Sequence, residues 1–368
     1  MFANKSAGFS YSRIGNPTVD AFEKRVCELD GGLAAVACSS GMSAITAALL
    51  NVLQAGDEII AGAGLFGGTL DLFRDLEAFG ITTRFVPRVK AAEISHQLTE
   101  KTKLIFGEVI SNPGLDVMDI EQVAELAHAN SIPLFVDATT ATPYLVNPIK
   151  LGADVLIHSS SKYINGSGNS LSGVIVDSGK FRWNTDKFPV LAEYAKFGNF
   201  AFTTRLRGDT WRNTGGCLSP MNAYLNIIGI ETLGLRMQRI CDNALALARM
   251  LEQTEGVTVN YPALSSSVCF PLVQKQLRGL GGGIVTVRAG SKERAYKLMN
   301  SLKYALNATN IGDTKTLVIH PASTIFLHST EQARQSAGVY DDLIRVSVGI
   351  EDESDIIEDF TRAIHNLD

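Results

Sequence analysis

Between about residue 18 and residue 185, short apolar runs alternate with amphipathic stretches, and this alternation constrains the fold more than any other feature of the chain. LAAVACS, DEIIAGA, ITTRFVP, TKLIFGEV, IPLFVDA, ADVLIHS and SGVIVDS read as strands. The stretches after Gly41, Thr69 and Asp119 (MSAITAALLNVLQ, LDLFRDLEAFG and IEQVAELAHANS) read as helices. Strand and helix in regular alternation imply an α/β fold with a mostly parallel, doubly wound sheet covered on both faces. Ligands of such sheets gather at the carboxyl ends of the strands, where Ser40, Asp137 and Lys162 fall.

The pattern changes after about residue 215. LSPMNAYLNIIGIETLGLRMQRICDNALALARMLEQ reads as one long helical stretch, broken near Gly229, of a length that suits a bridge between domains. Beyond it GGGIVTVRAG, TLVIHPAS and DLIRVSVGI read as strands, and KERAYKLMNSLKYAL and ESDIIEDFTRAIHNL as helices, which predicts a smaller α+β domain. The expected division is an amino-terminal arm over 1–17, a large domain over 18–215 and a carboxyl-terminal domain over 216–368. A chain of 368 residues exceeds the usual size of a single core, in keeping with that division.

Hydrophobic residues make up 45% and charged residues 19%, a balance that supports a large core and argues against long disorder. The net charge of −5 and the lack of a basic run give no footing for nucleic acid or an anionic membrane surface. No run of ~18 or more uncharged apolar residues is present to span a membrane. Cys27, Cys38, Cys217, Cys241 and Cys269 are scattered, without CxxC spacing, and read as reduced core thiols. The start MFANKSAGFSYSR lacks the apolar core of a secretory signal, so a cytoplasmic location is the expectation.

Lys162 stands in the polar turn SSSKYINGSG directly after one predicted strand, and Asp137 ends the strand before it. A lysine and an aspartate at neighbouring strand ends suit pyridoxal phosphate: the amine bonds the cofactor aldehyde, and the carboxylate keeps the pyridine nitrogen protonated. A solvated loop lysine and a turn aspartate are the alternative. In CSSGMSAI, Ser40 and Gly41 open a helix whose free amides and dipole suit a phosphate, or Ser40 is a plain N-cap. Tyr11 and Arg13 of YSRIGNPT precede any regular structure and either grip phosphate or form a surface arm. Ser159 and Ser161 either donate to a phosphate or cap a turn. Arg345 lies in the apolar strand LIRVSVGI, where a buried guanidinium calls for a fixed internal carboxylate or a substrate carboxylate.

The ordered set YSRIGNPTVDAFEKR, SSGMSAI, FGGTLDLF, EVISNPGLDVMDI, VDATTATPYL, HSSSKYINGSGNSLSGVIVDSGKF, NIGDTKTLVIHPAST and AGVYDDLIRVSVGIED resembles the Cys/Met metabolism group of pyridoxal-phosphate enzymes over essentially the whole chain. NIGDTKTLVIHPAST and the carboxyl-terminal segment tilt the resemblance from the lyases of the group toward its O-acetylhomoserine sulfhydrylases. The resemblance implies a fold-type-I transferase of methionine biosynthesis that replaces acetate on O-acetyl-L-homoserine with sulfide or methanethiol, giving homocysteine or methionine. It implies Lys162 as Schiff-base lysine and Asp137 as pyridinium partner. Ser40, Gly41, Met42, Thr139, Ser159 and Ser161 would surround the cofactor, Phe66 would stack on it, and Asn112, Asn310 and Arg345 would hold the substrate. Tyr11 and Arg13 would reach the phosphate of a neighbouring subunit, within a homotetramer built from two catalytic dimers. Elimination by a β- or γ-lyase and a non-catalytic cofactor-binding relative are the alternatives.

Three departures from the group bear on this. Phe66 stands where the group carries tyrosine, keeping the stacking face without the hydroxyl. DATTATP replaces DNTFATP, so Ala138 and Thr140 stand for an amide and an aromatic ring. The group usually carries several tens of residues ahead of YSR, whereas this sequence starts almost at it; either the product is truncated or specialised, or the sequence starts late. Weaker γ-elimination, an altered substrate or lost activity follow as alternatives.

Overall fold

The computed structural model describes residues 8–367. Residues 1–7 of the expected amino-terminal arm therefore lie outside the described residues. Among those described, the strands form two sheets. The larger has seven, β1 (Ala34–Cys38), β2 (Glu58–Gly62), β3 (Thr82–Val86), β4 (Thr102–Glu108), β5 (Leu134–Asp137), β6 (Val155–His158) and β7 (Gly173–Asp177), in the order β1-β7-β6-β5-β4-β2-β3. β3, β2, β4, β5 and β6 are parallel, and β7 runs antiparallel to both of its neighbours. All seven predicted strands are found.

Burial along these strands is nearly continuous except in the edge strand β3, as expected where both faces of a parallel sheet are covered. Alternate residues feed two cores. Ile60, Ile105, Val136 and Leu156 pack on one side with Phe22 and Val26 of the helix Pro17–Asp30 and Val123 of the helix Ile120–Ala129. Ile59, Leu104, Phe106, Phe135 and Ile157 pack on the other with Ile45 and Leu49 of the helix Gly41–Leu50 and Phe73 of the helix Gly67–Asp75.

The smaller sheet holds β8 (Thr258–Asn260), β9 (Ile284–Arg288), β10 (Leu306–Asn307), β11 (Leu317–Ile319) and β12 (Leu343–Ser347), in the order β10-β11-β12-β9-β8. Only β10 and β11 pair in parallel. β8 and β10, two or three residues long and partly exposed, carry too little alternation to be read from sequence. Val285, Val287, Ile344 and Val346 of this sheet share one continuous core with the first face of the large sheet, through Met237, Ile240 and Leu247.

Those last residues lie on the helix Leu233–Glu252, whose 20 residues span about 30 Å. The predicted break near Gly229 falls at Thr232, which separates it from the helix Pro220–Glu231. Gly229 does different work. A Cβ there would lie 2.3 Å from the Asn165 carbonyl oxygen and 2.5 Å from that of Ile164, so the missing side chain lets this helix touch the loop that follows Lys162. Arg236, buried, fixes the same loop by donating to the carbonyls of Tyr163 at 2.7 Å and Ile164 at 3.2 Å.

Candidate active site

β4, β5 and β6 end side by side, with Glu108 opposite Asp137 in register and Asp137 opposite Ile157. The chain leaves β6 through His158 and turns at once, so that Lys162 comes back over these strand ends. Here lies a cleft of about 680 Å³ lined by Lys162, Asp137, Glu108, Phe66, Asn112, Thr139, Ser159, Asn310 and Arg345. Segments far apart in the chain thus converge where an open α/β sheet places its ligand.

The Lys162 amine donates to Asn310 Oδ1 at 2.5 Å. Burial, and then the nearby positive charge of Arg345, lower its proton affinity below the ordinary lysine value, so the neutral, nucleophilic amine becomes easier to form. Asp137 Oδ1 accepts the Thr139 N–H at 2.9 Å. Burial raises its proton affinity, while the Thr139 hydrogen bonds and the charge of His158 oppose the rise. His158 in turn is paired with Asp30 at 2.9 Å, both buried.

Ser40 caps the helix Gly41–Leu50, its Oγ accepting the Ser43 N–H at 3.0 Å. The N-cap reading therefore holds, and the helix amino terminus still faces the Lys162 turn. A Cβ on Gly41 would lie 2.7 Å from Ser159 Cβ, so the two segments touch because residue 41 has no side chain. Ser159 Oγ and Ser161 Oγ lie 3.0 Å apart, and the Ser159 N–H donates to Thr139 Oγ1 at 2.8 Å. Ser40, Gly41, Thr139, Ser159 and Ser161 consequently form one polar rim next to Lys162. Phe66 offers an aromatic ring at the cleft wall, 37% exposed, and Met42 lies on the same side, close to Gly68.

Arg345 is buried and, among the described residues, pairs with no carboxylate. Its acceptors among the described residues are the Asn112 side-chain oxygen at 3.3 Å and the Asn310 carbonyl at 3.0 Å, both neutral, and its Nε has no partner. Burial lowers its proton affinity to about 10, still well above neutrality. A fixed cation among neutral acceptors at the floor of a cleft is built for a carboxylate from solution.

Tyr11 and Arg13 do not join this group. Tyr11 is exposed, and Arg13 lies against the Tyr11 ring and donates to the Arg212 carbonyl at 2.9 Å, so Arg13 does have a partner in its own chain. Ala138 is fully buried and Thr140 donates its hydroxyl to the Ile110 carbonyl at 2.8 Å, so both are part of the wall of the strand ends. Glu108 and Arg236 are the residues that sequence reasoning passed over. An acidic residue closing the buried strand TKLIFGE was the available signal for Glu108; Arg236 gave none, lying in a helix rich in arginine.

The donor set fits pyridoxal phosphate. It offers an amine of lowered proton affinity, a half-buried carboxylate at the neighbouring strand end, an exposed aromatic face, and a rim of hydroxyls at a helix amino terminus. The profile described as Cys/Met metabolism PLP-dependent enzyme matches residues 1–365. A homocysteine synthase of Schizosaccharomyces pombe is 44% identical, the alignment covering 99% of this chain and 89% of the relative. The crystal structure of a Campylobacter jejuni protein assigned as an O-acetylhomoserine (thiol)-lyase, solved with N'-pyridoxyl-lysine-5'-monophosphate, superposes with a TM-score of 0.94 at 32% identity, covering 99% of this chain and 90% of that one. An O-acetylhomoserine sulfhydrylase structure from Wolinella succinogenes superposes with a TM-score of 0.84 at 40% identity, covering 97% of this chain and 100% of that one.

Proposed function

Given that this chain belongs to the Cys/Met metabolism PLP-dependent enzyme family, we propose that it replaces the acetate of O-acetyl-L-homoserine with sulfide or methanethiol, giving homocysteine or methionine. The observation that carries the choice of replacement over elimination is the whole-length similarity to proteins named homocysteine synthase and O-acetylhomoserine sulfhydrylase.

In this reading Arg345 grips the substrate α-carboxylate through two parallel N–H bonds, with the amides of Asn112 and Asn310 alongside. The Lys162 amine takes the proton from the substrate α carbon and then from the β carbon, helped by the lowered proton affinity that burial and Arg345 impose. Asp137 would keep a proton on the pyridine nitrogen of the cofactor. Bound here, pyridoxal phosphate supplies an electron sink for the charge that develops on the substrate carbons. Ser40, Ser159 and Ser161, with the backbone at Gly41 and Met42, would hold the phosphate, Thr139 steadies Asp137, and the Phe66 ring would stack on the cofactor. The Cγ–O bond breaks and acetate leaves with the electron pair. Sulfide closes a Cγ–S bond, and Lys162 returns the protons to carbon.

The working unit is a cytoplasmic homotetramer of two catalytic dimers, in which Tyr11 and Arg13 serve the phosphate of the adjacent subunit. Met221, Tyr224 and Ile228 form an exposed apolar stripe at helical spacing, with Leu171 and Leu235 also exposed, and such a stripe supports contact with a second copy. Residues 18–215 act as the cofactor-binding domain and 216–368 as the carboxyl-terminal domain, despite the core they share.

Product analysis on O-acetyl-L-homoserine with and without sulfide tests the reading. Homocysteine and acetate that appear only with sulfide support it. Ammonia and a keto acid released equally well without sulfide would identify a lyase.

A further inference from the structure

Glu108 has no part in the scheme above, yet it is 7% exposed, lines the same cleft and stands in register beside Asp137. Its two oxygens point to different loops. Oε1 accepts the Phe66 N–H at 2.8 Å, and Oε2 accepts the Asn112 N–H at 3.1 Å. Neither amide donates to a backbone carbonyl among the described residues, so this one carboxyl ties the loop that carries the stacking ring to the turn that carries a ligand of Arg345. Burial, and then the Asp137 carboxylate beside it, push its proton affinity well above the usual carboxylate range. Two carboxyls at adjacent strand ends resist ionising together.

We infer that Glu108 is a positioning residue that fixes the Phe66 ring and the Asn112 side chain relative to each other across the cleft, so that a substrate finds both in place. It acts through Phe66 and Asn112 and touches neither reacting carbon nor leaving group. Its removal therefore weakens substrate capture more than the chemical steps. For the identity of the substrate, this rests on the function proposed above.

Glu108→Ala removes both acceptors, whereas Glu108→Gln keeps a neutral side chain of the same shape with one carbonyl oxygen. Hydrogen exchange is measured on the protein freed of cofactor. The Phe66 and Asn112 amides should exchange about tenfold faster or more in Glu108→Ala, with the β5 amides unchanged, and one of the two amides should be released in Glu108→Gln. With cofactor restored, Glu108→Ala should raise the KM for O-acetyl-L-homoserine about tenfold or more while kcat changes far less, and Glu108→Gln, which keeps one of the two ties, should fall between Glu108→Ala and wild type. Wild-type exchange at both amides in folded Glu108→Ala overturns the inference, as does a fall in kcat at unchanged KM. If Glu108→Ala does not fold, unchanged exchange at both amides of Glu108→Gln overturns it equally. The exchange measurement needs no substrate, so it decides for or against the clamp even where O-acetyl-L-homoserine proves to be the wrong substrate.

Discussion

At the level of single residues, Lys162 illustrates how a site is tuned by what surrounds it. Burial and Arg345 hold its proton affinity below the ordinary value of 10.5, so in the cofactor-free protein the folded state binds fewer protons at this group than the unfolded chain does. Stability contributed by Lys162 therefore rises with pH through the window between the depressed value and 10.5. Lys162→Met removes the buried cation and should flatten that part of the profile. Thermal unfolding of the cofactor-free wild type and variant should show the variant gaining most at the low-pH side of the window; equal gains at all pH values would mean that Lys162 does not titrate there. The lysine and the aspartate at neighbouring strand ends were legible in the sequence as a candidate pair, but a solvated loop lysine and a turn aspartate fit the same residues, and the role proposed for them drew on the ordered family segments. Glu108 was not legible, because nothing local to it announces Phe66, which lies 42 residues away.

At the level of elements, the large sheet was legible and the small one only in part. The central strands of the large sheet are buried runs, and burial on both faces writes a nearly uninterrupted apolar signal into them, while the edge strand β3, TTRFV, is only partly buried. β8 and β10 are short, partly exposed edge strands whose pairing is set by β9 and β11, so no such signal exists for them. Gly229 shows a subtler limit. A glycine inside a helical pattern suggests a break, whereas here it permits close approach and the helix runs on to Glu231, two residues later. Gly229→Ala should push the helix Pro220–Glu231 off the Ile164–Asn165 backbone, at a cost of about 1–3 kcal/mol by overpacking. Denaturant unfolding measures that cost, and cofactor retention should fall along with it, because the displaced loop follows Lys162. A variant as stable as wild type would mean that the contact is easily relaxed.

At the level of the whole molecule, the site within one chain lacks the two residues that the family resemblance assigns to it from the amino-terminal arm. Tyr11 and Arg13 lie away from the cleft of their own chain, with Arg13 held by the Arg212 carbonyl. If they serve a neighbour, Arg13→Ala subunits lack a donor and Lys162→Ala subunits lack the amine, yet a mixed catalytic dimer contains one complete site. Mixing the two inactive variants should restore activity that neither shows alone. Mixed oligomers that remain inactive would count against a shared site.

The central claim, that this cleft exchanges acetate for sulfur at the γ carbon, is tested most directly by stoichiometry. Isotopically labelled sulfide and O-acetyl-L-homoserine are incubated with the enzyme, and homocysteine, acetate, ammonia and keto acid are counted together. The account predicts one labelled homocysteine for each acetate released, with neither ammonia nor keto acid, and loss of all turnover in Lys162→Ala. Acetate released in step with ammonia and a keto acid, with the label left in free sulfide, would contradict it.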